Sequence, residues 1–107
     1  MVQFEIQLIN ARATAWGYGR AGAGGEQGFG ATNEVLKRSD CLSVGDPVFC
    51  KVFGEHFDRS DPAHQVICRI LVQGDEAYVC ADQGTPDRAA KTECGGPVYI
   101  PEKKRAQ

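Results

Sequence analysis

Apolar residues recur at every second position along two stretches of this chain. Between residues 2 and 8, Val2, Phe4, Ile6 and Leu8 are separated by glutamine and glutamate. Between residues 65 and 72, Val66, Cys68, Ile70 and Val72 again stand at every second position and would share one face of a strand. A period of two is typical of a β-strand that buries one face and exposes the other. Because no segment shows a long helical period, we expect an all-β fold.

The remaining segments fit the same fold class. The predicted strands cover residues 2–9, 12–21, 29–31, 48–53, 65–72, 77–81 and 98–100. Turn signals such as Gly45-Asp46-Pro47 and Gly74-Asp75 separate them. The intervening loops are predicted at 22–28, 55–62 and 82–96. Asn33 is a candidate helix N-cap, and residues 34–38 would form about one helical turn. Six or seven short strands at this spacing favour one small closed barrel over residues 1–107, with a charged tail at 101–107.

Charge and composition limit the classes of function. The chain has 107 residues, with 12 basic and 14 acidic side chains and a net charge of −2. This balance argues against a strong non-specific phosphate binder, whose affinity would come from lysine and arginine. No apolar run reaches the length of about 20 residues that a membrane span needs, so no membrane partner is expected. The first residues lack the pattern of a secretion signal, and we predict a cytoplasmic protein.

The cysteines indicate free thiols rather than a disulfide or zinc framework. There are five of them, at positions 41, 50, 68, 80 and 94, with long gaps and no C-x-x-C spacing. By strand parity, Cys50 and Cys68 would point into the core, where a free cysteine behaves as a small apolar residue. We expect reduced thiols, no metal site and no cofactor.

Trp16-Gly17-Tyr18-Gly19 is the strongest functional signal in the sequence, and Gly28-Phe29-Gly30 follows it. Glycine beside a ring clears space around it, so that a flat partner can reach the ring from outside. Trp16, Tyr18 and Phe29 are therefore candidates for a surface that stacks nucleobases, with Arg12, Arg20 and Lys37 as candidate phosphate contacts. Two alternatives remain open. The three rings could pack in the core or at its rim, or they could form a protein-binding surface.

These motifs resemble the cold-shock branch of the OB-fold family. The residues that carry the resemblance are Gly17-Tyr18-Gly19, Gly28-Phe29-Gly30 and Leu42-Ser43-Val44-Gly45-Asp46-Pro47-Val48, within residues 2–72. The resemblance implies an OB-like barrel, with an SH3-like barrel as the alternative, and base stacking on Tyr18 and Phe29 with Trp16 beside them. The chain departs from the family pattern at Trp16, Arg20, Ala21, Ala31 and Thr32, which leaves Phe29 as the only aromatic residue of the second motif.

Two other motifs point to chemistry that we do not expect. Glu93-Cys94-Gly95-Gly96-Pro97 resembles the nucleophile loop of chymotrypsin-like cysteine proteases, but both histidines of the chain, His56 and His64, fall too late for that arrangement. Gly17-x-Gly19-x-x-Gly22 matches a dinucleotide fingerprint, but no helix can open at its end.

We therefore predict a non-enzymatic binding module for single-stranded RNA or DNA, without catalytic residues. The alternative is a small protein-interaction module or inhibitor, for example one encoded by a virus or mobile element. A cysteine hydrolase fragment is the third hypothesis.

Overall fold

The computed structural model describes residues 1–22, 25–28, 30, 32, 34–58, 60 and 63–101. Eight strands account for most of this part of the chain, which contains no helix, and the predicted all-β fold class is confirmed. The strands are β1 (Val2–Ile9), β2 (Ala11–Arg20), β3 (Gly25–Gly28), β4 (Val35–Asp40), β5 (Pro47–His56), β6 (His64–Val72), β7 (Asp75–Gly84) and β8 (Ala90–Pro97). Within the described ranges, nothing helical is long and apolar enough to cross a membrane.

The strands form two antiparallel sheets of four. The first sheet has the order β4-β1-β6-β7, and the second has the order β3-β2-β5-β8. The chain changes sheet between β1 and β2 at Asn10, whose φ of 50° turns the backbone sharply. The Asn10 side chain donates to the carbonyls of Asp58 and Ala63 and accepts from the Asp58 amide, so this crossing is tied to the β5–β6 connection.

The inner faces of both sheets supply the core. Val2, Phe4, Ile6 and Leu8 of β1 are all at most 3% exposed, and the apolar positions of β6 lie beside them. Both strands therefore bury the face that the alternation predicts. Cys50 and Cys68 are fully buried, as their parity predicts.

A β-bulge in β2 decides which of its residues face the core. The pairing of β2 with β5 shifts between Ala13 and Ala15, so Thr14 is the extra residue. Before the bulge, Ala11 and Ala13 are buried, and beyond it Trp16 and Tyr18 take the inward positions. An extra residue reverses the side-chain alternation of the strand that carries it. Without the bulge, the two aromatic rings would point away from the core.

The prediction of a helical turn at residues 34–38 is wrong, because this segment belongs to strand β4. It pairs with β1 from Gln7↔Val35 to Val2↔Asp40. Only Leu36 packs against the core, and one apolar contact in six residues cannot hold a short isolated helix. Pairing along β1 supplies the backbone hydrogen bonds instead. The candidate N-cap, Asn33, lies outside the described residues.

Three other expected boundaries also differ. Residues 25–28 of the predicted loop form β3, and most of the predicted loop at 82–96 belongs to β7 and β8. Residues 98–100 are not a strand, although the Val98 amide donates to the Asp46 carbonyl and so extends the edge of the second sheet. The described residues therefore contain eight strands rather than six or seven. The predicted strand 29–31 has only residue 30 in the described part of the chain, and the charged tail from 102 onward lies outside it.

Candidate functional site

Tyr18, a predicted stacking residue, lies in the core rather than on the surface. Its side chain is 3% exposed, and its ring stacks on Phe4 of the opposite sheet with centroids 5.8 Å apart and planes 20° apart. A ring in this position has no free face for a nucleobase. Its prediction as an exposed stacking residue is therefore corrected, and the reason is the bulge before it.

Trp16 also faces inward, at the rim of the core. Its ring lies 5.3 Å from that of Tyr18 and packs against the buried cluster. The neighbouring strand β3 approaches it through Gly28, where an added Cβ would stand 2.5 Å from the indole carbon Cζ2. Glycine at this position therefore makes room for the ring to pack, instead of opening the ring to solvent.

The remaining predicted site residues are not brought together. Arg12 lies 3.9 Å from a carboxylate oxygen of Glu55, and Arg20 lies 3.7 Å from one of Asp46. Lys37 is on β4 of the other sheet, where its ammonium is 3.9 Å from Glu5. Each of these cations already faces a carboxylate. Phe29 lies outside the residues that the structure describes.

The outer face of the second sheet presents a different aromatic pair. Phe49 and Phe53 stand on the central strand β5 with Lys51 between them, on the side opposite to the buried Val48, Cys50 and Val52. Phe53 is 41% exposed, and Phe49 is half-buried. We call this surface the Phe49–Phe53 face; it comprises Ala15, Gly17 and Gly19 of β2, Phe49, Lys51 and Phe53 of β5, and Lys91, Glu93 and Gly95 of β8.

Small residues flank both rings across the sheet. Phe49 pairs with Gly19 on one side and Gly95 on the other, and Phe53 pairs with Ala15 on β2. Three of the four cross-strand neighbours of the two rings therefore have no side chain or only a methyl group, and the fourth, opposite Phe53 on β8, is Lys91. Shallow grooves run next to the two rings along β8, and Glu93 lines both of them. The glycines of β2 thus leave space beside an aromatic ring of β5 and not beside the rings of their own strand.

The charges on the Phe49–Phe53 face are mixed. The Lys51 ammonium lies 5.8 Å from the centroid of the Phe49 ring, within the range of a cation–π contact. Lys91 stands opposite Phe53, and Glu93 stands opposite Lys51. Among the described residues, neither Lys51 nor Lys91 forms an ion pair, which distinguishes them from Arg12 and Arg20. Both lysines are therefore available to an anionic group.

The sequence contained a signal for this face. The alternation that assigns Val48, Cys50 and Val52 to the core assigns Phe49, Lys51 and Phe53 to the opposite side. What the sequence could not show was the pairing of β5 with β2 and β8, which places glycine and alanine beside the rings.

Four of the five cysteines lie together between the sheets. Cys50 pairs with Cys94 in one sheet, and Cys68 pairs with Cys80 in the other. All five cysteines are free, and only Cys41 is exposed. Within the described part of the chain, no group of three or more His, Cys, Asp or Glu side chains is placed to hold a metal ion.

Cys94 is poorly suited to act as a nucleophile. Burial, followed by the neighbouring Cys80, raises the pKa of the Cys94 thiol well above its ordinary value, so the thiolate is disfavoured at neutral pH. Neither histidine is beside it: His64 bonds to the Ala90 amide, four residues earlier on β8. The sequence Glu93–Pro97 forms part of a β-strand rather than a nucleophile loop.

No family model matches the chain, and neither a curated protein nor a solved structure matches it.

Proposed function

We propose that this protein is a non-enzymatic module that binds single-stranded nucleic acid on the Phe49–Phe53 face. The observation that carries the proposal is the pair of phenylalanine rings on the central strand of one sheet, flanked by glycine and alanine. Single-stranded nucleic acids bind to such aromatic platforms because every base offers a flat face for stacking. Four residues along a strand place the two rings about 13 Å apart, so each ring can take a separate base.

Polar groups beside the rings suit the rest of such a ligand. Lys51 and Lys91 can approach phosphates of a strand that crosses β5 and β8. Glu93, which lines the grooves beside both rings, can accept a hydrogen bond from an amino group of a base. With two available cations, stacking supplies more of the affinity than charge does. The net charge of −2 agrees with a binder of this kind.

The resemblance to the cold-shock branch is compatible with this proposal after one change. In that family, bases stack on aromatic rings of a sheet surface, and the motif residues of this chain would place them on Tyr18 and Phe29. The proposal transfers the stacking role to Phe49 and Phe53, because the bulge turns Tyr18 into the core.

A protein partner is the second candidate, favoured by the mixed charge of the same face. Its two lysines, Lys51 and Lys91, are accompanied by the carboxylate of Glu93. Exposed aromatic rings next to flat backbone also suit a protein hot spot. The test below distinguishes the two candidates.

The test is a fluorescence anisotropy titration with labelled 12-nucleotide single strands of RNA and DNA of mixed sequence, at low salt. We expect micromolar or tighter binding, and Phe49→Ala and Phe53→Ala should each weaken it about 5- to 150-fold, which is the range of one lost stack. Phe57→Ala is the matched control, because Phe57 is 54% exposed but lies beyond the end of β5. That variant should bind like the wild type.

Absence of binding by the folded wild-type protein at low salt would contradict the nucleic-acid proposal and favour a protein partner. Equal losses in all three variants would show a non-specific apolar contact and would contradict the assigned face.

A further inference from the structure

His64 is the only buried polar or charged residue of the described core, and it lies where four strands meet. It is 1% exposed at the start of β6. Its Nε2 atom accepts a hydrogen bond from the Ala90 amide of β8 at 3.2 Å and lies 3.3 Å from the Gly54 carbonyl of β5. Gly84 of β7 packs so closely against its ring that a Cβ there would overlap it. This ring therefore joins the ends of both sheets.

The second nitrogen of the ring faces another histidine. Nδ1 of His64 is hydrogen-bonded to Nδ1 of His56, and the rings meet edge to face with centroids 4.3 Å apart. Only one proton can lie between two facing nitrogens. The Ala90 amide already donates to Nε2 of His64, so this atom carries no proton in the neutral pair and Nδ1 carries the ring proton instead.

From this arrangement we infer that the His56–His64 pair is a pH-sensitive latch that holds the start of β8 onto β5 and β6. The neutral pair has two ring protons: the facing Nδ1 atoms share one, and Nε2 of His56 carries the second. Nε2 of His64 is then the only ring nitrogen that can bind an additional proton. Nε2 then changes from acceptor to donor, loses the Ala90 amide and can donate to the Gly54 carbonyl. Protonation thus releases β8 and strengthens the contact to β5.

The charged surroundings act on this latch from several elements. Burial and the neighbouring His56 lower the pKa of His64 below its ordinary value, and Arg88 in the β7–β8 turn acts in the same direction. Asp82 on β7 opposes them, but it is already engaged by Arg88 and by the Lys91 amide. Glu55 and Asp87 line the polar groove beside His56, and Asp58 lies just beyond it.

The sign of the pH effect follows from this lowered pKa. His64 stays neutral in the folded protein at a pH where the unfolded chain already binds a proton, so the unfolded state gains protons first. Stability is then complete above about pH 6.5 and falls as the pH decreases toward the lowered value. Asp58 and Asp82, whose pKa values are lowered from 3.8, change the stability of the fold only at more acidic pH.

The latch adjoins the proposed binding face, and this connection alone rests on the proposed function. Gly54 and Ala90 form the last pair of the β5–β8 ladder, next to the pair of Phe53 with Lys91. Release of Ala90 would loosen the end of the face that holds Phe53. Acidification should therefore weaken nucleic-acid binding before the protein unfolds.

The latch can be tested in wild-type protein by NMR. We expect Nε2 of His64 to be unprotonated at pH 7.5 and to take up its proton only as the pH falls below 6.5. Over the same pH range the Ala90 amide should lose its protection from hydrogen exchange, after correction for intrinsic rates. The Val52 amide, in the centre of β5, should keep its protection. Urea unfolding should show an unfolding constant that rises up to tenfold per pH unit below pH 6.5.

A His64→Gln variant, if it folds, should lose the pH dependence that begins below pH 6.5. Constant protection of Ala90 as His64 takes up its proton would overturn the latch. An increase in the melting temperature on adding zinc would also overturn it, since the facing nitrogens would then be metal ligands. If the latch is observed but no oligonucleotide binds at any pH, the proposed function fails and the latch stands.

Discussion

Replacing Tyr18 with alanine tests whether the aromatic signal of the sequence serves the core or the surface. Tyr18 is 3% exposed and stacks on Phe4, so the substitution removes a ring that holds the two sheets together. Truncation of a buried aromatic residue to alanine costs about 3–5 kcal/mol. Phe53 is 41% exposed and buries about three fifths of its side chain. Full burial of such a side chain is worth about 1.5–3 kcal/mol, so Phe53→Ala should cost only about 1–2 kcal/mol.

The assay is urea unfolding at pH 7.5, followed by the fluorescence of Trp16, whose ring lies 5.3 Å from that of Tyr18. A domain of this size commonly has about 5–15 kcal/mol of stability, so Tyr18→Ala should shift the midpoint strongly and still leave a measurable transition. Equal slopes of the free energy of unfolding against urea would show that both variants unfold from a similarly compact state. The inward orientation of Tyr18 would be refuted if Tyr18→Ala lowered the free energy of unfolding by less than about 1 kcal/mol, or if Phe53→Ala lowered it by more than Tyr18→Ala does.

Three further predictions concern thiols, packing and salt. Thiol titration should find one fast-reacting group in the folded protein, Cys41, and five in denaturant; one free thiol or none in denaturant would contradict the reduced state. Gly28→Val should destabilise the protein by about 1–3 kcal/mol and shift the emission of Trp16, because the new side chain overlaps the indole ring; an unchanged spectrum would contradict this packing. The logarithm of the binding constant for a single strand should fall with the logarithm of salt concentration with a slope of about −1.4, as expected for the two cations Lys51 and Lys91; a slope steeper than about −4 would indicate a much larger phosphate-binding surface.

The sequence predicted the fold best where apolar residues recur at every second position. This holds for β1, and in β6 for Val66, Cys68, Ile70 and Val72; both strands lie in the centre of their sheet, as their burial requires. The alternation of β5 was equally informative for its buried face. It also contained the outward positions of Phe49 and Phe53, but the meaning of those positions depends on their neighbours across the sheet.

Prediction failed where tertiary pairing overrides local pattern. The bulge at Thr14 reverses the alternation of β2, and nothing in the local sequence marks that residue as the extra one. The glycines around the aromatic motifs therefore predict space for a ligand, whereas in the fold Gly28 of β3 leaves space for the Trp16 ring. Glycine near an aromatic residue indicates that some group comes close to the backbone there. Only the fold shows whether that group is a ligand or a side chain of the protein itself.

The segment of β8 was missed for a related reason. Its inward residues, Ala90, Thr92, Cys94 and Gly96, are small, so the alternation carries little hydrophobic contrast. They suit a strand that lies close to β7 at the junction of the two sheets, where the Tyr78 hydroxyl donates to the Pro97 carbonyl at 2.7 Å. The His56–His64 contact was also invisible in the sequence, because it depends on the ends of β5 and β6 meeting.

Mapping of backbone amide shifts tests the account most directly. A ¹⁵N-labelled protein would be titrated with a mixed-sequence single-stranded 12-mer at pH 7.5 and low salt. The account predicts the largest shifts at Gly19, Phe49, Lys51, Phe53 and Glu93, with small shifts on the outer face of the opposite sheet, for example at Val79, which is 50% exposed. Saturable shifts centred on that opposite sheet, or the absence of shifts at millimolar oligonucleotide, would contradict it.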